Sequence, residues 1–178
     1  MPPPPDPPPL RRINVVGTSG SGKTTFARAL AARLGHPHVE LDALNWGANW
    51  TQAAPEVMRQ RVADAIAPER WVVDGNYSVS RDLLWARADT IVWLDFSRRV
   101  VRRTLSRIVR RTEIWAGNRE SVRMLLSRDS IIWWSVSTYG RRRRQYPSLL
   151  AAHPHLRVVR LRSPREADRW LGSLHGVG

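Results

Sequence analysis

Residues 17–24 read Gly17-Thr18-Ser19-Gly20-Ser21-Gly22-Lys23-Thr24, and this stretch decides the fold of the chain. It matches the pattern G-x-x-x-x-G-K-[ST], in which glycines let successive backbone N–H groups turn inward around an anion. The pattern has meaning only between a strand and a helix. Ile13–Val16 is a short β-branched run, and Thr24–Leu34 carries apolar residues at helical spacing. The stretch therefore predicts a phosphate-binding loop (P-loop) between a first strand and a first helix.

The side chains of the loop predict ATP and Mg²⁺ as cofactors. Lys23 is the only lysine of the chain, and its compact ammonium suits the β- and γ-phosphates of ATP better than the wide fork of an arginine. Thr24 supplies a hydroxyl for Mg²⁺, which prefers hard oxygen ligands. Thr25 closes the loop, with helix capping or packing as its alternative role. The predicted nucleotide-binding residues are Gly17, Thr18, Ser19, Gly20, Ser21, Gly22, Lys23, Thr24 and Thr25.

Strand-like and helix-like runs alternate along the rest of the chain. Apolar, β-branched strands separated by helices are typical of a parallel sheet covered on both faces, so we expect a three-layer α/β fold. The further predicted strands are Val39–Leu41, Trp71–Val73, Thr90–Leu94 and Arg157–Leu161, and the further helices begin at Pro55, Leu83 and Pro164.

Length and composition indicate one domain. The chain has 178 residues, of which 42% are hydrophobic and 25% charged, as in ordinary globular proteins. Residues 1–9 contain seven prolines, so we expect a disordered tail there and the P-loop domain over residues 10–178. The absence of cysteine excludes disulfide scaffolds, thiolate metal sites and cysteine nucleophiles. No apolar run is long enough for a membrane span, so we expect a soluble cytoplasmic protein without a membrane partner.

The net charge of +14 is concentrated in one segment. Residues 1–95 carry equal numbers of basic and acidic residues, whereas residues 96–144 carry fourteen arginines against three acidic residues. The basic segment coincides with a predicted helical insertion, roughly residues 98–146, between the fourth and fifth strands. Its arginines form either a functional cationic face or a solvated one.

Acidic residues follow the predicted strands. Asp74 ends the third strand and is the predicted Mg²⁺ ligand beside Thr24. Asp95 follows the fourth strand as its competitor, with capping of the next helix as its other role. Asp42 closes the second strand, where it would orient or deprotonate an acceptor hydroxyl or cap a helix. Asp42 is thus a candidate catalytic and substrate-binding residue.

Arg81 and the histidines are the remaining side chains that bear on the predicted site. Arg81 would clamp an anionic acceptor or would pair with Asp82 or Glu69. The five histidines show neither metal-ligand spacing nor a triad arrangement, so no role is predicted for them.

Four segments together resemble a known family. Val15–Thr25, Leu41–Trp46, Trp71–Ser78 and Ala88–Phe96 are similar to the adenylate-kinase-like P-loop proteins of the DNA topology modulation group. The resemblance implies a nucleoside-monophosphate-kinase-like core with sheet order 2-3-1-4-5 and a helical lid at the basic insertion. It also implies that Asn76, Tyr77 and Arg81 bind the acceptor. Residues 75–78 read Gly-Asn-Tyr-Ser where true adenylate kinases have Gly-Phe-Pro-Arg, which counts against a nucleoside monophosphate as acceptor.

Three hypotheses of function follow. The first is an Mg²⁺·ATP-dependent kinase of a small-molecule acceptor, in which lid arginines stabilise the transferred phosphoryl group. We name Arg107 and Arg111 as the catalytic candidates, from a pool that also holds Arg103, Arg110 and Arg119. The second is an ATP-dependent nucleic-acid-binding protein that uses the basic lid and Arg141–Arg144. The third is an NTPase without an acceptor.

Overall fold

The computed structural model describes residues 10–47, 51–97 and 144–174. Their strands form one sheet in the order β2-β3-β1-β4-β5, and every neighbouring pair is parallel. This confirms the predicted α/β fold and its strand order. The strands are β1 (Arg12–Gly17), β2 (His38–Glu40), β3 (Trp71–Asp74), β4 (Thr90–Leu94) and β5 (Arg157–Leu161).

Helices connect the strands and cover the sheet. They are α1 (Lys23–Leu34), α2 (Leu41–Asn45), α3 (Pro55–Ala65), α4 (Arg81–Arg87), α5 (144–151) and α6 (Pro164–Ser173), with a 3₁₀ turn at Ser78–Ser80 before α4. The local sequence explains where several of these helices begin. Pro55 and Pro164 stand in first turns, where a missing N–H costs nothing. The Ser163 hydroxyl accepts a hydrogen bond from the backbone N–H of Glu166 at 3.2 Å, which caps α6.

Two apolar cores lie on opposite faces of the sheet. One joins β1 and β4 to α1 and α6 through residues such as Ile13, Leu30 and Val92. The other joins the opposite face of the same strands to α3 and α4 through residues such as Val16, Met58 and Leu84. The alternation of Val15 and Val16 between the two cores follows from the period of two in a strand. The sheet is therefore the middle layer of three.

Two predicted boundaries are wrong: the second strand, and the fourth helix, which begins at Arg81 rather than Leu83. The second strand is His38–Glu40 rather than Val39–Leu41, because Leu41 begins α2, a short helix that the sequence analysis missed. In α3 the buried residues are Met58 and Val62, whereas Val57 is 44% exposed. Residues four apart in a helix lie on the same face, whereas residues five apart do not. Met58 is therefore buried on the same face as Val62, and Val57 lies on another face.

Part of the prediction falls outside the described ranges. The proline-rich tail of residues 1–9 lies there, as does the predicted lid except for its last residues, which begin α5. Within the three described ranges, no helix combines the length and the apolar character that crossing a bilayer requires.

Candidate functional site

The P-loop connects the end of β1 to the start of α1, and glycine is required where it turns. A Cβ at Gly17 would lie 2.8 Å from Ser21 Oγ and 2.9 Å from the backbone oxygen of Leu94, closer than real Cβ atoms approach. Gly20 and Gly22 have φ angles of 74° and 82°, which side chains other than glycine rarely adopt. The loop is therefore built by backbone conformations that the G-x-x-x-x-G spacing supplies.

The loop has the donors that a polyphosphate needs. The first turn of α1 presents backbone N–H groups without helical partners at the positive end of the helix. Lys23 Nζ donates to the backbone oxygen of Thr18 at 3.0 Å, so the ammonium lies over the loop. The hydroxyls of Thr18 and Ser21 are buried without a hydrogen-bond partner among the described residues. Unsatisfied hydroxyls beside an ammonium fit bound phosphate oxygens; Thr25, by contrast, is exposed.

Thr24 and Asp74 meet as predicted for a magnesium site. Thr24 Oγ1 donates to Asp74 Oδ1 at 3.2 Å, and Asp74 is only 3% exposed at the end of β3. Burial raises the pKa of Asp74, while the hydrogen bond to His38 and the charges of His38 and Lys23 act in the opposite direction. A hydroxyl and a carboxylate next to the phosphate loop are the hard oxygen donors that Mg²⁺ prefers, so these residues fit the ion.

Asp95, the competing carboxylate, is engaged elsewhere. Its Oδ2 accepts hydrogen bonds from Arg160 Nε at 3.0 Å and Nη2 at 2.6 Å. The same guanidinium stacks over Trp93, with 4.4 Å from Cζ to the ring centroid. Asp95 thus joins the ends of β4 and β5, and the contact with Thr24 belongs to Asp74.

The segment after β3 brings two predicted acceptor residues to the edge of the P-loop. Asn76 Nδ2 donates to the backbone oxygen of Gly17 at 3.3 Å, and the Tyr77 hydroxyl donates to Asp42 Oδ1 at 2.7 Å. Burial and the neighbouring carboxylate raise the pKa of Tyr77, so its phenol stays protonated and keeps donating. Gly75 allows this approach, because a Cβ there would lie 2.8 Å from Leu41 Cβ. Asp42 lies in the first turn of α2 rather than at a strand end.

Arg81 lies farther along the same segment, at the start of α4. Its guanidinium carbon is 5.5 Å from the centroid of the Trp85 ring, and its Nε is buried without a partner among the described residues. The alternative role of Arg81 was an ion pair with Asp82 or Glu69. Asp82 instead accepts hydrogen bonds from Arg59 at 2.7 and 2.8 Å, and no ion pair joins Arg81 to either carboxylate among the described residues. The role of Arg81 in binding an anionic acceptor stays a prediction.

A cavity of about 260 Å³ lies between α2, the residues after it, α3 and the 3₁₀ turn. All of its lining side chains are uncharged. Asn45, one turn after Asp42, is 1% exposed, and its Nδ2 has no hydrogen-bond partner in the described part of the chain. The lining residues are Asn45, Gln52, Ala53, Pro55, Met58 and Val79.

His38 is the site residue that the sequence analysis missed. Its Nε2 lies 2.8 Å from Asp74 Oδ2, so this histidine contacts the predicted Mg²⁺ ligand although no role was predicted for any histidine. The order and register of the strands carry the signal for this contact. Strand β2 lies beside β3, and Glu40 pairs in register with Asp74. Because side chains alternate between the two faces of a strand, His38, two residues before Glu40, lies on the same face as the Asp74 carboxylate.

The remaining predicted site residues lie outside the described ranges. These are the lid arginines Arg107 and Arg111, and Arg141–Arg143 of the basic run. Arg144 is exposed at the start of α5.

Sequence comparisons match parts of the chain to known proteins. Residues 13–95 match the family model described as ATPase family associated with various cellular activities (AAA). The chain is 30% identical over 86 residues to the uncharacterized protein YqaC of Bacillus subtilis (strain 168). That match covers 47% of this chain and 48% of YqaC, so it spans about half the length of the curated relative.

Several solved kinases share this fold. A shikimate kinase from Acinetobacter baumannii in complex with shikimate matches with a TM-score of 0.58 and 18% identity, over 92% of this chain and 89% of the kinase. An unliganded sugar kinase from Janibacter sp. HTCC2649 matches with a TM-score of 0.53 and 20% identity, over 92% and 94%. The chain therefore has the fold of these solved kinases, and its residues 13–95 resemble an ATPase family model. The finer resemblance to the DNA topology modulation group rests on the sequence elements alone.

Proposed function

We propose that this chain is an Mg²⁺·ATP-dependent phosphotransferase that phosphorylates a hydroxyl group of a small-molecule acceptor. The observation that carries the proposal is the path of residues 74–77. Asp74 contacts Thr24 of the P-loop, Asn76 contacts Gly17, and Tyr77 holds Asp42. One short segment thus connects the nucleotide side to a carboxylate on α2. A carboxylate in this position can orient the hydroxyl that attacks the γ-phosphorus, whether that hydroxyl belongs to an acceptor or to water, and the screen below distinguishes the two.

The nucleotide side binds and neutralises the phosphates. The loop N–H groups and Lys23 Nζ would hold the β- and γ-phosphates, and Thr24 with Asp74 would hold Mg²⁺. Bound Mg²⁺ neutralises charge that develops on the phosphates during transfer. Lys23 leaves its contact with the Thr18 carbonyl to reach them.

Asp42 is the proposed base. Its carboxylate is exposed, and one of its oxygens is fixed by Tyr77, which leaves the other oxygen for an acceptor hydroxyl. The hydroxyl proton passes to Asp42 as the acceptor oxygen forms its bond to the γ-phosphorus. The bond from that phosphorus to the oxygen shared with the β-phosphate breaks, and ADP leaves with the electron pair.

The acceptor side suits a molecule with an uncharged hydroxylated part. The cavity lined by Asn45, one turn after Asp42, has uncharged walls, and Asn45 Nδ2, which has no hydrogen-bond partner among the described residues, is a donor for such a hydroxyl. Arg81 would receive an anionic group at the other end of the acceptor. Arg107 and Arg111 of the basic segment would close over the transferred phosphoryl group.

The test is acceptor-dependent ADP release. Purified protein with Mg²⁺·ATP is screened against sugars, polyols and hydroxy acids, and we expect at least one of them to raise ADP release well above the rate without acceptor. Asp42→Asn should abolish this increment while ATP affinity stays within about twofold of wild type. If ADP release were equal with and without every acceptor, and were unaffected by Asp42→Asn, the chain would be an NTPase and the proposal would be wrong.

A further inference from the structure

The carboxylate of Asp74 is held at both oxygens by side chains from different elements. Oδ1 accepts a hydrogen bond from Thr24 on α1, and Oδ2 lies 2.8 Å from Nε2 of His38 on β2. The His38 side chain is itself largely buried, with 14% exposure, against 4% for Asp74. The pair is thus well shielded from solvent at the edge of the P-loop.

We propose that His38 is a positioning residue for the Mg²⁺ site: it holds Oδ2 of Asp74 so that Oδ1 stays directed at Thr24 and at the ion. This inference rests on the proposed function, because it assigns a role to His38 within the same site. His38 contacts a predicted metal ligand rather than the ion, the nucleotide or the acceptor.

The geometry supports a fixed role. A carboxylate turns readily about its last side-chain bond, and a single hydrogen bond from Thr24 leaves that rotation open. A second donor, His38 Nε2 on the other oxygen, prevents that rotation. The backbone of His38 is fixed in turn, because His38 pairs in parallel register with Val72 and the Val72 N–H donates to the oxygen of Pro37 at 2.9 Å. His38 is therefore a rigid support and not a surface side chain that happens to touch Asp74.

The surroundings of the ring are consistent with a donor at Nε2. Opposite an ionised Asp74, Nε2 must carry the proton, since a carboxylate only accepts hydrogen bonds. Nδ1, on the other side of the ring, lies 3.9 Å from Glu40 Oε1. Glu40 accepts a hydrogen bond from Arg28 Nη2 at 2.7 Å, so its charge is already paired. Partners of this kind around metal ligands typically change metal affinity about 10- to 100-fold when removed.

Two amide substitutions separate the two ring nitrogens. The amide nitrogen of His38→Gln stands near the position of Nε2 and can still donate to Asp74, whereas that of His38→Asn stands near Nδ1 and cannot reach it. His38→Leu removes both nitrogens. His36→Leu is the matched control, because His36 lies two residues away but bonds the backbone oxygen of Leu10 through Nε2 at 2.9 Å, outside the site.

The experiment is calorimetric titration of ATP at a series of Mg²⁺ concentrations and in EDTA, with a thermal melt of each variant. We expect His38→Asn and His38→Leu to raise the Mg²⁺ concentration of half-maximal effect about tenfold, at an unchanged ATP affinity in EDTA. His38→Gln should restore most of the wild-type Mg²⁺ response, and His36→Leu should retain all of it. Because Gln and Asn are compared with each other, the test stands even where His38→Leu does not fold.

The outcomes distinguish this inference from the proposed function. A wild-type protein that binds ATP equally with Mg²⁺ and with EDTA would overturn the proposed magnesium site and this inference with it. A Mg²⁺-dependent wild type whose response is unchanged in His38→Asn would overturn the role of His38 alone. So would equal losses in His38→Gln and His38→Asn, since these would indicate a general structural effect.

Discussion

The Tyr77 hydroxyl donates to Oδ1 of Asp42 at 2.7 Å and so joins the segment after β3 to the first turn of α2. The phenol is half-buried and stays protonated because burial and the carboxylate raise its pKa. Asp42 is exposed to solvent and belongs to α2, a helix of only five residues. Tyr77 is therefore the contact that fixes the orientation of the proposed base relative to the P-loop.

Tyr77→Phe tests this relationship. The variant keeps the ring but removes the donor, so the Asp42 carboxylate becomes free to rotate. We expect the rate of acceptor phosphorylation to fall about tenfold or more, in line with the usual contribution of a positioned base, while the ATP affinity stays unchanged. The free energy of unfolding should fall by only about 1 kcal/mol, the ordinary net value of one hydrogen bond. Steady-state kinetics with a chemical denaturation curve check both; an unchanged turnover would show that the Tyr77 hydroxyl does not position Asp42 for transfer.

Gly17→Ala tests the construction of the P-loop. The added Cβ would meet Ser21 Oγ at 2.8 Å and the Leu94 oxygen at 2.9 Å, so the loop or the end of β4 must shift. We expect loss of ATP binding together with a destabilisation of about 1 to 3 kcal/mol. Gly172→Ala on α6 is the control, because nothing lies within 4 Å of its Cβ position, and alanine there should stabilise the helix by about 0.5 to 1 kcal/mol. Calorimetric ATP binding and thermal unfolding give both values, and equal behaviour of the two variants would contradict the geometry.

The ion pair of Arg59 with Asp82 predicts a pH-dependent stability. The hydrogen bond from Arg59 lowers the pKa of Asp82 to about 2. A carboxyl whose folded pKa is lowered contributes stability above its unfolded pKa, and this contribution is lost as the pH falls toward about 2. We expect Asp82→Asn to be less stable than wild type at pH 7, by under about 1 kcal/mol because the pair is exposed to solvent, and the two proteins to converge near pH 2. Urea unfolding at several pH values measures the difference, and a difference that grew on acidification would have the wrong sign.

The fold was predictable because its signals are local. The P-loop spacing, the apolar strands and the prolines of first turns each act within a few residues, and they placed β1, β3, β4 and β5 correctly. The site was predictable where one residue ends a strand, as Asp74 does. Contacts across strands were not: His38 meets Asp74 and Arg160 meets Asp95 only through the order and register of the sheet. The short helix α2 has too few residues for a periodic pattern, which is why Leu41 was assigned to a strand.

The nucleic-acid hypothesis predicts a dependence on salt that the kinase hypothesis does not. A protein that neutralises phosphates on duplex DNA loses affinity with a slope of about −0.9 in log K against log salt for each contact. We expect replacement of Arg141–Arg144 by glutamine to remove most DNA binding at low salt and to leave the ATP affinity nearly unchanged. Arg107→Gln or Arg111→Gln should instead lower phosphoryl transfer more than ATP affinity. DNA binding that persisted at physiological salt, required ATP and disappeared with the four arginines would favour the nucleic-acid function.

The most direct measurement is the ATP affinity and turnover of Lys23→Ala and Lys23→Arg beside wild type, with circular dichroism to monitor the fold. Lys23 begins α1, and its ammonium donates to the Thr18 oxygen of the P-loop, so its replacement should leave the apolar cores intact. We expect Lys23→Ala to lose Mg²⁺·ATP turnover by at least about 100-fold, as expected when a preorganised charge on the transition state is removed, and Lys23→Arg to lose less. A folded Lys23→Ala variant with wild-type ATP affinity and turnover would contradict the account.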